Sequence, residues 1–186
     1  MSARGTARTK LVAAASARFY AQGVAATGID VITADAGVAK MSLYNNFGSK
    51  AELVAAYLDG RQQGFLDVHR RLVAALPGDA GPGARALTVF DAYVEHAEEA
   101  DFRGCGLLNA AGELPAGDPG RTQVAGHKAE VERLLHEALA PREDAGALAE
   151  HLALLLEGAM VRGGLEGDLD RVRRARAIAA GLVGEG

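Results

Sequence analysis

The stretch Thr27–Lys50, TGIDVITADAGVAKMSLYNNFGSK, decides the fold of this 186-residue chain. Its first part has apolar residues at helical spacing, and Gly37 interrupts that spacing. A second short helical pattern covers residues 40–46 and ends before Gly48. The stretch therefore predicts two short helices joined by a tight turn. The apolar positions that support them are Ile29, Ile32, Ala36, Leu43 and Phe47.

Signals on either side extend this pattern. Apolar residues at helical spacing over positions 6–22 predict a preceding helix. Thr27 with Asp30, and Ser49 with Glu52, have the spacing of capping boxes, in which side-chain oxygens bind the free amides of a helix start. We therefore expect Thr27 to open the second helix and Ser49 to open a long fourth helix.

The remainder of the chain also has helical patterns, separated by glycine and proline. No stretch alternates apolar and polar residues with the β-branched enrichment typical of a strand. The sequence therefore predicts an all-α protein. The further helices are expected at about 84–100, 104–113, 120–140, 145–163 and 168–184.

Composition and charge limit the possible functions. Cys105 is the single cysteine, so an intramolecular disulfide framework is excluded. The net charge is −4, but residues 1–50 carry six basic and two acidic residues, whereas the rest carries 14 basic and 22 acidic ones. This division favours phosphate binding at the amino-terminal end. No apolar run reaches the length of a signal or membrane segment, so we expect a cytoplasmic protein without a membrane partner.

The second of the two short helices has the composition of a DNA recognition helix. A helix fits the major groove, where lysine can bind guanine and asparagine can bind adenine. Hydroxyls and ammonium groups at helix ends suit phosphates. The candidate DNA-binding residues are Thr27, Lys40, Met41, Ser42, Tyr44, Asn45 and Lys50.

The same region resembles the amino-terminal domain of TetR/AcrR-family transcriptional regulators over about residues 6–58. The resemblance rests on A-x-x-x-F-x-x-x-G from Ala15, I-x-x-x-x-G-V from Ile32 and S-L-Y-x-x-F-G-S-K-x-E-L from Ser42. Three positions depart from the usual pattern: Thr33 replaces a common alanine, Ala39 a capping serine, and Met41 a small residue. We expect these to affect packing, the helix start and base preference, respectively.

The resemblance implies a three-helix helix-turn-helix domain at 1–50 and a larger helical dimerisation and ligand-binding domain at 51–186. It implies a homodimer that binds a palindromic, double-stranded DNA operator, most often as a repressor. A small, mostly apolar effector would change the spacing of the two DNA-binding heads and release the operator. The alternative is a DNA-binding regulator or architectural protein that has no small-molecule effector.

The segment FRGCGLLNAAGE at 102–113 resembles a stretch that lines the ligand cavity in one branch of the family. Asn109 is a candidate hydrogen-bond donor there. Four apolar candidates could equally be core residues: Phe65, Tyr93, Phe102 and Leu108. Cys105 could sense electrophiles if a nearby positive charge activated its thiol, or it could be an inert buried thiol. The candidate ligand-binding residues are Phe65, Tyr93, Phe102, Cys105, Leu108, Asn109 and His127.

The last two helices are candidates for the dimer interface. Their apolar stripes could form a four-helix interface with a second subunit, or could serve only the core of one chain. The stripes comprise Leu148, Leu152, Leu155 and Ala159 in one helix, and Leu169, Val172, Ala179 and Leu182 in the other.

An enzymatic function has no support in the sequence. The chain contains no nucleophile elbow and no paired metal ligands, and the Gly48-Ser49-Lys50 order does not match a phosphate-binding loop. We therefore expect no catalytic residues, no metal and no cofactor.

Overall fold

The computed structural model describes residues 3–97 and 102–184, which form helices and turns without a strand. Among these residues, no helix combines the length and apolar character needed to cross a membrane. The end of the helix predicted at 84–100 lies outside the described residues. The helices are α1 (Ala3–Gln22), α2 (Ile29–Asp35), α3 (Lys40–Asn46), α4 (Lys50–Ala75), α5 (Pro82–Ala97), α6 (Gly106–Glu113), α7 (Pro119–Leu139), α8 (Ala145–Glu166) and α9 (Asp170–Val183).

The chain divides into two compact units, and the division differs from the predicted boundary at residue 50. The first unit contains the chain up to Arg61 together with Gly106–Val124, and the second contains Gln62–Cys105 and the chain from Ala125 onward. The difference arises because α4 is one continuous helix that contributes to both units. In addition, α6 packs with α1 in the first unit.

The first unit has an apolar core formed by α1, α2 and α3. Leu11, Ile32 and Leu43 contribute one fully buried side chain from each of these helices. The Phe19 ring meets the Tyr57 ring edge-on, with centroids 5.5 Å apart, which joins α1 to α4. Helices α2 and α3 each bury an apolar side chain against α1. This packing determines which face of each helix points outward.

The two predicted capping boxes have different outcomes. Ser49 Oγ accepts a hydrogen bond from the Glu52 amide at 3.2 Å, and the Glu52 carboxylate accepts one from the Gly48 amide at 3.0 Å. The prediction at Ser49 is therefore confirmed. The prediction at Thr27 is wrong, because α2 begins at Ile29 after the N-cap residue Gly28, which has no side-chain cap.

The second unit contains α5, α8 and α9 packed together. The predicted dimer stripes are largely wrong, because Leu148, Leu152, Val172 and Ala179 are buried in this unit's own core. An apolar strip that shares only Leu182 with the predicted stripes is exposed on the same two helices. This α8–α9 strip consists of Leu154, Val161, Leu165, Ile178 and Leu182.

Candidate functional site

The exposed face of α3 carries four of the predicted DNA-binding residues. Lys40, Met41, Tyr44 and Asn45 are all exposed, and Met41 has 67% of its surface accessible. Leu43 lies on the opposite face and is fully buried. The helix is therefore anchored on one side and presents an ammonium, a thioether, a phenol and an amide on the other.

Lys40 forms an ion pair within the first unit. Its Nζ lies 2.7 Å from Asp30 Oδ1, and both side chains are well exposed. Through hydrogen bonding and charge, Asp30 raises the pKa of Lys40, which is therefore protonated near neutral pH. To contact a base or a phosphate, the Lys40 ammonium would have to leave Asp30 or bind both partners at once.

Lys50 and Thr27 have structural partners inside the first unit. Lys50 Nζ donates a hydrogen bond to the Val24 carbonyl at 2.7 Å. Thr27 is only 1% exposed, and its hydroxyl donates to the Gly23 carbonyl at 2.7 Å. Thr27 therefore closes the turn between α1 and α2 and does not present its hydroxyl to phosphates, contrary to the sequence expectation.

The start of α3 lacks a side-chain cap. Its N-cap residue Ala39 makes no capping bond, as expected where the family pattern has serine. Ser42 is half-buried, and its carbonyl accepts a bond from the Asn46 side chain at 2.7 Å. The guanidinium of Arg8 lies 4.8 Å from the centroid of the Phe47 ring, just after the end of α3, a contact that the sequence pattern did not indicate.

In the second unit, three predicted ligand-binding residues form an aromatic group. The centroid of the Phe65 ring lies 4.8 Å from that of Tyr93 and 5.5 Å from that of His127. All three side chains are buried. Helices α4, α5 and α7 each supply one of these rings.

A largely buried charge adjoins this group. Lys128 Nζ lies 3.1 Å from Tyr93 Oη, 3.4 Å from Cys105 Sγ and 2.7 Å from Glu157 Oε1. The Lys128 side chain is 18% exposed and that of Glu157 is 28% exposed. We call these residues, together with Phe65 and His127, the second-unit cluster.

The pKa values in the cluster follow from burial and charge. Burial lowers the pKa of His127 to about 4, assisted by the positive charge of Lys128, so its imidazole is neutral near pH 7. Burial also raises the pKa of Tyr93, which stays a neutral phenol. Burial alone would lower the pKa of Lys128. The neighbouring Cys105, Tyr93 and Glu157 outweigh this effect and raise it.

The other predicted ligand-binding residues lie elsewhere. Phe102 is half-buried in the second unit, where its ring lies against Gly163. Leu108 is half-buried and Asn109 is exposed, and both belong to the first unit. Sequence reasoning missed Lys128 and Glu157, because no local pattern links two residues that are far apart in the chain.

No group of histidine, cysteine or carboxylate side chains within residues 3–97 and 102–184 could hold a metal ion.

Comparison with known proteins identifies the family. The family model described as "Bacterial regulatory proteins, tetR family" matches residues 11–57, which cover most of α1, all of α2 and α3, and the start of α4. The chain is 33% identical over 184 residues to the HTH-type transcriptional regulator TtgR of Pseudomonas putida, across 95% of this chain and 77% of TtgR. The chain belongs to the TetR family.

Two further relatives agree with this identification. The TetR-family transcriptional regulator from Streptomyces coelicolor has a crystal structure that matches with a TM-score of 0.79 at 31% identity, across 95% of this chain and 97% of that one. The transcriptional repressor DhaR of a Mycobacterium species is 32% identical over 123 residues, across 66% of this chain and 60% of DhaR. As a TetR-family transcriptional regulator, the chain has an amino-terminal helix-turn-helix DNA-binding domain and a helical carboxy-terminal domain.

Proposed function

We propose that this regulator is a homodimeric repressor that binds a palindromic operator and is released from it by a small, mostly apolar effector. The observation that carries the proposal is the outward face of α3, where Lys40, Met41, Tyr44 and Asn45 are exposed while Leu43 anchors the helix. This arrangement suits insertion into the major groove. Thr27 is left out of the proposed DNA contacts, because its side chain is buried.

The DNA contacts can be tested with a double substitution. Each lost base contact typically costs about 1–3 kcal/mol, so Lys40→Ala combined with Asn45→Ala should weaken operator binding at least tenfold. The matched control is Arg133→Ala, which removes an exposed cation from α7 in the second unit. Unchanged affinity of the double variant in a mobility-shift titration would refute the recognition-helix assignment.

The α8–α9 strip supports a dimer. Its five apolar side chains are all exposed, and exposed apolar residues grouped on two helices often mark a protein–protein contact. A palindromic operator also requires two heads at a fixed spacing of about 34–36 Å or a multiple of it. We therefore assign the strip to contact with a second copy of the chain.

Sedimentation tests this assignment. The unmodified chain should have twice the monomer mass at micromolar concentration, whereas Leu165→Glu with Ile178→Glu should give a folded monomer. Val73→Glu is the matched control, because Val73 is also an exposed apolar residue of the second unit but lies on α4. A dimer that persists in the double variant would show that the strip is not the interface.

The second-unit cluster supports an effector site. It combines aromatic rings with an ammonium, a phenol and a neutral imidazole, the mixture typical of small-molecule sites. The chain itself connects this cluster to the DNA-binding domain. Phe65 lies on the same helix α4 as Lys50, and Cys105 directly precedes α6. Effector binding is typical of the family, and a coupling of about 1–3 kcal/mol would lower operator affinity roughly 5–150-fold.

A screen for small molecules that raise the melting temperature tests the effector site. Molecules that stabilise the protein should also release it from DNA, and both effects should weaken in Phe65→Ala. Asn109→Ala, at an exposed position of the first unit, is the control and should keep both effects. Stabilising molecules that act equally on Phe65→Ala would place the effector site elsewhere.

A further inference from the structure

The turn between α1 and α2 is held by two charged side chains from distant parts of the sequence. The Ala25 amide donates a hydrogen bond to Glu113 Oε2 at 2.6 Å, and the adjacent Val24 carbonyl accepts one from Lys50 at 2.7 Å. Glu113 is the last residue of α6, and Lys50 is the first residue of α4. The peptide group that joins Val24 to Ala25 is therefore bound at its amide by a carboxylate and at its carbonyl by an ammonium.

The backbone of the turn is shaped to receive Glu113. Gly23 has a φ of +92°, and a Cβ at this position would lie 2.5 Å from Glu113 Oε1. The glycine therefore serves two purposes: it adopts a left-handed conformation that ends α1, and it leaves room for the carboxylate. Such a close fit from a residue 90 positions away in the chain indicates a specific contact.

A cleft lies beside this contact. It has a volume of about 360 Å³ and is lined by the turn, the first turns of α4, the end of α6 and the loop that follows it. Both Lys50 and Glu113 line the cleft. The start of α6, by contrast, packs closely, because a Cβ on Gly106 would lie 2.7 Å from Tyr57 Oη. The far end of α6 therefore meets the α1–α2 turn beside this cleft, where the Glu113 carboxylate binds the Ala25 amide.

We propose that Glu113 is a positioning residue for DNA binding, which fixes the α1–α2 turn and thereby the helices α2 and α3 that follow it. The turn leads directly into α2, and α2 packs on α3. A change in the position of α6 would pass through Glu113 to the recognition helix. This inference rests on the operator binding proposed above.

The direction of the change in operator affinity distinguishes a positioning role of Glu113 from a purely electrostatic one. Glu113→Leu removes a negative charge from the DNA-binding unit, and by electrostatics alone this would strengthen binding to DNA. A positioning role predicts the opposite, a loss of operator affinity of about fivefold or more. Glu113→Gln should restore most of the affinity, because the amide oxygen can still accept the bond from Ala25. Glu132→Leu, at an exposed glutamate of α7 in the second unit, is the control for loss of charge.

Two measurements on the full-length chain decide the matter. Fluorescence anisotropy gives the operator affinity of each variant, with the active fraction fixed by stoichiometric titration. Hydrogen exchange of the Ala25 amide, read by NMR without DNA, should accelerate at least tenfold in Glu113→Leu and remain slow in Glu113→Gln. Equal or higher affinity of Glu113→Leu, or unchanged exchange at Ala25, would overturn the proposal. If the unmodified chain bound no operator while the exchange changed as expected, the proposed function would fail instead.

Discussion

Breaking the Lys128–Glu157 pair is the perturbation whose magnitude follows most directly from the structure. Lys128→Met keeps the length of the side chain but leaves Glu157 with its charge and without its ammonium partner. Removing one member of a fully buried pair costs about 3–5 kcal/mol, whereas exposed pairs contribute about 0.2–1 kcal/mol. The two side chains are 18% and 28% exposed, so we expect an intermediate loss of about 2 kcal/mol.

Chemical denaturation at fixed protein concentration measures this loss, and for a protein of this size it corresponds to about 4–8 °C in melting temperature. Glu157→Gln and the double variant complete a mutant cycle, in which we expect a coupling free energy of about 1–2 kcal/mol. Arg133→Met is the matched control, because Arg133 lies on the same helix α7 and pairs with carboxylates at 49% exposure. If Lys128→Met destabilised the protein no more than Arg133→Met, the burial argument for this pair would be wrong.

Three further predictions concern individual residues. His127 has its pKa lowered to about 4 in the folded protein, so the unfolded chain binds more protons below about pH 6.5, and the free energy of unfolding should fall by up to about 1.4 kcal/mol per pH unit between these values. His127→Phe should flatten that slope in denaturation curves taken from pH 7 to pH 5. Thr27→Val should cost about 1 kcal/mol of stability by leaving the Gly23 carbonyl without its partner, while the salt dependence of DNA binding stays unchanged. Gly164→Ala should cost more than about 2 kcal/mol, because its Cβ would lie 2.6 Å from Gly104 Cα, whereas Gly146→Ala on the same helix has open space and should be neutral or stabilising.

Much of the fold could be predicted from the sequence because its signals are local. The spacing of apolar residues predicted the short helices α2 and α3 of the amino-terminal domain. The spacing of Ser49 and Glu52 predicted the start of α4. The outward face of α3 followed from the same spacing, since Leu43 had to point inward. Local patterns therefore sufficed to predict which face of α3 is exposed.

Two errors arose at residues whose contacts lie outside the helix to which the sequence pattern assigned them. Gly163 and Gly164 were expected to end α8, but the helix continues to Glu166 and ends at Gly167, which has a φ of +67°. Gly164 is needed instead for a close approach of the Gly104 backbone. Thr27 had the spacing of a cap, yet its hydroxyl donates backward to Gly23. Neither role leaves a periodic signal.

The dimer stripes and the ligand-binding residues were harder for a related reason. An amphipathic pattern does not distinguish a face that packs inside one chain from a face that meets another, and α8 has both a buried apolar face and an exposed one. Phe65, Tyr93, Cys105 and His127 were selected for their chemical type and come together in one unit. Lys128 could not be selected, because its partner Glu157 lies on another helix.

The central claim is that two copies of the α3 surface together recognise a palindromic operator, and selection of bound duplexes from a random DNA library tests it most directly. The unmodified chain should enrich one inverted repeat whose half-sites lie about 34–36 Å, or a multiple of that distance, apart. Lys40→Ala with Asn45→Ala should enrich no such repeat. Enrichment of single, unpaired half-sites by the unmodified chain, or of no sequence at all, would contradict the account.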